Sequence, residues 1–361
     1  MARVTLQTIA DELGVSRTTV SNAYSRPDQL APALRERILG AAERFGYAGP
    51  DAAARTLRRG KAGTVGLLFT ETLGYILSDP FALAFLHGIA EQAEEHGSGL
   101  LLTSLLQRSG VDTAAGAIVD GFCVYCVADD DAALQAIRRR RLPVVQSRIV
   151  NDPLAAYAAI DDYAAAVDAT DHLVGLGHRQ LGVIADCSLP DGHVGPIDET
   201  ILETYTDSDA RSRLQGYFAA ARKAGLSPDS VQFVRVQGNT VEAGNAAMRT
   251  LLDLTPRPTG VLGMTDLLAL GALSALGECD LRAGDDVSVV GFDDIPQAAA
   301  AGLTTIRQDG RRKGREAGRL LLEWPSDPAD RQVVIPVELV TRGSSGPPPT
   351  TDRPHREERP S

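Results

Sequence analysis

At 361 residues with 43% hydrophobic content, the chain is long enough for a small domain plus a large body with its own core. No stretch approaches ~18 apolar residues, so no membrane span is expected. The formal net charge is −11, yet residues 1–62 hold ten basic side chains against six acidic ones, +4, which leaves −15 on the remainder; only the amino-terminal part suits a phosphate surface.

The first 47 residues predict three short helices. Leu6 to Leu13 places Ile9, Ala10 and Leu13 on one face. Gly14 suits a tight turn that needs φ above zero, and Ser16 suits the N-cap of a second helix. In that helix Val20 points inward while Arg17, Thr18 and Asn22 face outward. A third amphipathic helix, about Pro32 to Phe45, packs Leu34, Ile38, Ala41 and Phe45 on the first two, at helical spacing. A short polar helix projecting from a small basic bundle serves most commonly to read the major groove of DNA. The alternative is a small helical cap on an unrelated enzyme.

From Pro50 to Gly60 runs a short alanine-rich helix with almost no apolar face, marginal by itself in water. From Thr64 the pattern changes to alternating strands (Val65–Phe69, Leu100–Thr103, Cys123–Val127, Val144–Gln146) and helices, with Asp79 capping a helix that begins at Pro80. A second series follows: helix 163–176, strand 181–185, helix 210–224, strand 231–236, helix 240–252, strand 260–263, helix 267–276 and strand 287–291. This many strands and helices predict two doubly wound parallel sheets with a ligand cleft outside the carboxyl ends of their strands. Cys123 and Cys126 spell C-x-x-C, but within a strand residues three apart face opposite ways, so a structural role is expected rather than a redox or metal site. The Gly-, Pro- and charge-rich tail from Ser344 to Ser361 predicts disorder. The chain lacks a secretory leader at its start and a disulfide framework, so a cytoplasmic protein without cofactor is expected.

With these parts in order, the chain resembles the lac-repressor (LacI/GalR) family of bacterial transcription regulators over about Val4 to Arg342. The resemblance rests on Thr5-Leu6-Gln7-Thr8-Ile9-Ala10, Gly14-Val15-Ser16-Arg17-Thr18-Thr19-Val20-Ser21, His172 to His178, Asp266-Leu267-Leu268-Ala269-Leu270-Gly271, Val289-Val290-Gly291-Phe292-Asp293-Asp294 and Leu303 to Asp309. It implies a helix-turn-helix domain at 1–48, a hinge helix at 49–62 and a periplasmic-binding-protein-like body at 63–343. Within the body it implies one lobe of about 63–160 and 308–326 and another of about 163–290 and 332–343. It also implies a homodimer on pseudo-palindromic double-stranded operator DNA, controlled by a small-molecule effector, and no catalysis.

Residues carried over for DNA are Arg17, Thr18 and Asn22 for bases, the hydroxyls of Thr5, Ser16, Thr19 and Ser21 for phosphates, and Leu57 as a minor-groove wedge. For Ser16 and Thr19 local capping alone is the competing reading, and for Leu57 packing on the body. The linker carries an inserted Gly49-Pro50, and Asp51 replaces a common asparagine. In the cleft the carry-over gives Phe81, Asp161, Arg213, Asn239, Asp266, Asp293 and Gln308. Ser147-Arg148 stands where sugar-responsive relatives have an aspartate. Either Arg148 adds a positive charge that favours an acidic or phosphorylated effector, or it is a rim arginine in salt bridges. Asp293 and Asp294, adjacent at a strand end, point apart and make no glycosidase pair. The competing functions are a regulator of this fold governed by a protein partner, and a solute-binding protein that does not act on DNA.

Overall fold

The computed structural model describes residues 4–47, 49, 61–106, 108–128, 131–186, 194–196, 202–203 and 208–349. The hinge segment 50–60 with Leu57, and residues 350–361, lie outside them. The chain divides into two compact units, 1–63 and 64–361.

In the first unit α1 (Leu6–Leu13), α2 (Arg17–Ser25) and α3 (Pro32–Arg44) close on Ile9, Ala10, Val20, Ala23, Ile38, Ala41 and Ala42. Thr5 caps α1 through a reciprocal box with Thr8, and Gly14 ends it at φ +63°. Ser16 caps α2, its Oγ accepting from the Thr19 amide at 3.0 Å. These two caps satisfy amides that would otherwise lack partners. One expectation fails here. Phe45 is 38% exposed, and Tyr47 takes its place, packing edge-on against Tyr24 with centroids 6.2 Å apart. Phe45 caps the helix, and Gly46 at φ +66° turns the chain back so that the Tyr47 amide donates to the Ala42 carbonyl at 2.8 Å.

The second unit contains two sheets. The first has the order β12-β5-β4-β3-β1-β2, from β1 (Thr64–Phe69), β2 (Gly99–Ser104), β3 (Gly121–Tyr125), β4 (Val144–Gln146), β5 (Ala156–Ala159) and β12 (Gln332–Val334), with every pair parallel. The second has the order β13-β11-β10-β9-β6-β8-β7, from β6 (Leu181–Asp186), β7 (Val194–Pro196), β8 (Val231–Val236), β9 (Gly260–Gly263), β10 (Ser288–Asp293), β11 (Thr304–Arg307) and β13 (Glu338–Val340). Its interior pairs are parallel and its edge strands β7 and β13 antiparallel. Runs of Val, Leu and Ile in β1, β6 and β10 are buried on both faces, as helix-covered parallel strands must be.

Helices Pro80–Glu95 and Gly310–Glu323 cross closely because Gly88 and Gly314 face each other's backbone. A Cβ on Gly314 would collide with the Phe85 carbonyl, and one on Gly88 with the Arg311 carbonyl. That crossing brings the start of both helices to the carboxyl ends of the strands.

Three sequence expectations are corrected in this unit. Strand β12 pairs with β5, so residues 332–334 belong to the first lobe rather than the second. The tail is ordered to residue 349. Ser344 is buried, its Oγ accepts from the Thr304 amide at 2.8 Å, and the Val289 amide donates to its carbonyl. The neutral His178 ring, with Nε2 donating to the Gly346 carbonyl and Nδ1 accepting from Thr259, pins the tail further along. Finally, β3 ends at Tyr125, so Cys126 lies beyond the strand with φ 50° rather than on its opposite face; Cys123 and Cys126 form no disulfide among the described residues. Among the described residues no group of His, Cys, Asp or Glu could hold a metal ion, and no helix is long and apolar enough to cross a membrane.

Candidate functional sites

The outward face of α2 carries Arg17 and Thr18, both exposed, with Asn22 half-buried. Thr5 and Ser16 are exposed, and each is already engaged as a cap; the Ser16 and Thr19 hydroxyls lie 2.8 Å apart. Ser21 differs from expectation. It is 7% exposed, buried on α2 together with Val20 and Ala23.

The second site lies where the two sheets meet. It is built from turns that leave the carboxyl ends of β1, β4, β8, β9, β10 and β11, as expected for doubly wound sheets. Its centre is Arg213, on the helix Ser208–Lys223. The guanidinium donates from Nε to Asp162 Oδ1 (2.8 Å) and from Nη1 to the Met264 carbonyl (2.8 Å). Nη1 is 3.9 Å from Asp293 Oδ1, and the group stacks 3.7 Å above the Phe292 ring. Burial disfavours its charge, but Asp162 and Asp293 overcome that and hold Arg213 firmly protonated.

Asp293 ends β10 at φ 123°, and Asp294 follows at φ 55°. Two successive non-glycine residues in this region cost roughly 1–3 kcal/mol each and persist only when neighbours fix them. Gln308 Nε2 donates to Asp293 Oδ1 at 2.5 Å. Arg307 and Arg342 each donate to Asp294 at 2.6 Å. The two carboxylates are therefore held in separate networks. Burial raises the Asp293 carboxyl well above the ordinary carboxylate range, with Arg213 opposing. Gln308 Oε1, buried, has no hydrogen-bond partner among the described residues; neither does Ser147 Oγ just after β4.

A polar network joins the lobes. Asn239, after β8, donates from Nδ2 to Tyr75 Oη (2.9 Å) and Asp79 Oδ2 (3.0 Å). Thr265 donates to the Asn239 carbonyl oxygen. Asp79 also accepts from Tyr75 Oη at 2.8 Å and caps the helix Pro80–Glu95 through the Ala82 amide. Phe81, on that first-lobe helix, belongs to the same apolar cluster as Phe292 and Ile295 of the second lobe.

Thus Phe81, Arg213, Asn239, Asp293 and Gln308 do converge. Asp266 does not present itself to the cleft. It is fully buried beneath β10, where it accepts from Thr305 Oγ1 (2.6 Å) and the Ile295 amide (2.9 Å) and braces the Asp293 turn from below. Asp161 is exposed and caps the helix Asp162–Gly175 through Ala164 N; its neighbour Asp162 is the one that meets Arg213. Arg148 is 8% exposed, not a rim residue, and its Nη1 lies 3.5 Å from the Ile149 carbonyl. Tyr75, Asp79 as a cleft acceptor, Asp162 and Thr265 were absent from the sequence-derived set. The Asp161-Asp162 doublet was the available signal for Asp162.

A three-helix head with a capped, outward polar helix, and a body of two doubly wound sheets with convergent polar groups between them, define a DNA-binding regulator with a ligand cleft. Residues 170–345 match the periplasmic binding protein-like domain. The HTH-type transcriptional regulator Rv3575c of Mycobacterium tuberculosis is 43% identical over 354 residues, 96% of this chain and 98% of its own length. The HTH-type transcriptional repressor CytR of Escherichia coli is 31% identical over 351 residues, 94% and 96% of the two chains. Among solved structures, a LacI-family transcriptional regulator from Corynebacterium glutamicum aligns with a TM-score of 0.67 at 31% identity, covering 96% of this chain and 99% of that one. The complex of the regulator CelR with cellobiose aligns at 0.65 and 27% identity, covering 95% and 100%. The chain belongs to the LacI family of HTH-type transcriptional regulators.

Proposed function

We propose that this regulator binds a pseudo-palindromic operator as a cytoplasmic homodimer, and that a small hydroxylated metabolite, a sugar or related compound, held between the lobes sets its operator affinity. Arg17, Thr18 and Asn22 would meet bases. Leu57 would act as the minor-groove wedge.

The observation that carries the effector reading is Asp293, buried at a strand end, strained in its backbone and braced by Arg213, Gln308 and Asp266. A fixed carboxylate beside an amide whose acceptor oxygen has no partner accepts from neighbouring hydroxyl groups. The complex of CelR with cellobiose supports the same ligand class. Closing the lobes on such a ligand adds to the Asn239–Asp79 contact, and a coupling of ~1–3 kcal/mol between cleft and head changes occupancy several-fold.

The test is selection of bound sequences from a random DNA pool by the purified chain, repeated with a panel of sugars and polyols. A palindromic site whose enrichment changes with one compound is expected. A site that no small molecule alters would transfer control to a protein partner, and no enrichment would overturn the DNA-binding assignment.

A further inference from the structure

Lys313, which no sequence motif marked, lies beside Phe81. It sits in the first turn of the helix Gly310–Glu323, five residues after Gln308, and is 3% exposed. The other cations along this helix have acidic partners. Arg311 pairs with Glu91, Arg315 with Glu91 (2.9 Å) and Glu95 (3.2 Å), and Arg319 with Glu316 and Glu323. Only exposed Arg312 and buried Lys313 show no carboxylate partner among the described residues. The Lys313 ammonium instead lies 5.9 Å from the centre of the Phe81 ring. Phe81 itself sits against Gly310, where a Cβ would come within 2.9 Å of the ring, and packs into the cluster shared with Phe292 and Ile295.

A lysine side chain this far buried with no carboxylate beside it is costly, and one ring face at this distance answers only a small part of it. Its place near the positive end of a helix adds to the cost. The same helix start supplies Gln308, which holds Asp293. We infer that Lys313, beside Phe81, forms an anion subsite of the cleft, so that the effector is a hydroxylated compound bearing a carboxylate or phosphate group. Its hydroxyls meet Asp293 and Gln308, and its anionic end meets Lys313. This deepens the effector reading above and rests on it for the hydroxyl half of the ligand. One of the two sequence readings gave Arg148 an extra positive charge in the cleft; Lys313 is a different cation.

The test uses the intact chain, Lys313→Met, which keeps the length and apolar stem of the side chain, and Lys313→Arg. Melting is followed in inorganic phosphate against chloride at matched ionic strength. Phosphate should raise the melting temperature of the wild type and of Lys313→Arg by several degrees, saturably at millimolar concentration, and leave Lys313→Met unmoved. An equal rise in Lys313→Met means an adventitious ion only and overturns the subsite. No rise in the wild type overturns it as well, whether or not Lys313→Met folds.

A panel of hexoses and cyclic polyols with their monophosphates then tests the two-part ligand. The wild type should bind one monophosphate at least tenfold more tightly than its parent, and Lys313→Met should lose that preference. Equal binding of every pair overturns the acidic-effector inference. A Lys313-dependent phosphate effect, with operator affinity indifferent to the whole panel, would keep the anion subsite and remove the effector role proposed for Asp293.

Discussion

Replacing Arg213 by methionine should be the most destabilising single change in the cleft. The substitution removes one guanidinium that serves two buried carboxylates, Asp162 at 2.8 Å and Asp293 at 3.9 Å, and leaves the Met264 carbonyl without its donor. Breaking a buried pair by deleting one partner costs about 3–5 kcal/mol, because a charge is left uncompensated. That is a large part of the ~5–15 kcal/mol by which folded domains are stable. At ~2–4 °C per kcal/mol, the body should melt roughly 6–20 °C lower. Denaturant unfolding followed by tryptophan fluorescence and circular dichroism measures the loss directly. Two controls separate electrostatics from packing. Adding Asp162→Asn to Arg213→Met should recover a substantial part of the loss, since one orphaned charge is removed. The deficit should also shrink as pH falls, because protonated carboxyls no longer need the guanidinium. A loss below ~1 kcal/mol, or one that Asp162→Asn and acid leave unchanged, would refute the hub argument.

Ser16→Ala should lower the stability of the head by about 1 kcal/mol by orphaning the Thr19 amide, read as faster hydrogen exchange across α2. Asn239→Leu removes the donors to Tyr75 and Asp79; a cost of about 1–3 kcal/mol and a larger radius of gyration in small-angle scattering are expected, while unchanged scattering would count against an interlobe tie. Burial lifts the Asp266 carboxyl from 3.8 to about 6. Its folded value lies above its unfolded one, so the stability linked to this group is complete below the unfolded value and is lost as pH rises through about 6. The stability of the wild type relative to Asp266→Asn should therefore decline across that interval, and a flat difference would contradict the assignment. Burial lowers the His178 pKa, so the stability linked to its neutral ring is complete above 6.5 and is lost as pH falls; protonation ends the bond that Nδ1 accepts from Thr259 while Nε2 goes on donating to Gly346, and the melting temperature should fall there.

The strands that were legible in the sequence, such as Val144–Gln146 and Val231–Val236, are short apolar runs between turn residues, where local composition decides the outcome. β12 and β13 were not, because pairing with distant partners, Tyr157–Ala159 and Thr305–Arg307, rather than local composition fixes them. The tail shows the same limit. Glycine and proline suggested disorder, yet Ser344 and Gly346 complete hydrogen bonds at Val289 and Ser288. In the cleft, Arg213 and Asp293 were reached through family resemblance. Asp162 was missed by one residue, since in an acidic doublet the helix phase decides which carboxylate caps and which turns inward. Lys313 was hidden in Arg311-Arg312-Lys313-Gly314-Arg315, which reads as a solvated charge run. Only the glycine-mediated crossing with helix Pro80–Glu95 turns Lys313 away from water.

The chain passes from one sheet to the other three times, at residues 160–161, 308–309 and 335–337. The first and third passages are stitched together by the Ile335 amide donating to the Ala159 carbonyl at 2.7 Å. Two bodies joined by a single tether can swivel freely; three short tethers side by side leave bending about one axis as the soft motion. Gln308, which grips Asp293, lies within the second passage. A molecule seated there presses beside the fulcrum rather than at the tip of a lever, so a displacement of a fraction of an ångström at the cleft floor is multiplied along the lobes toward their outer edges.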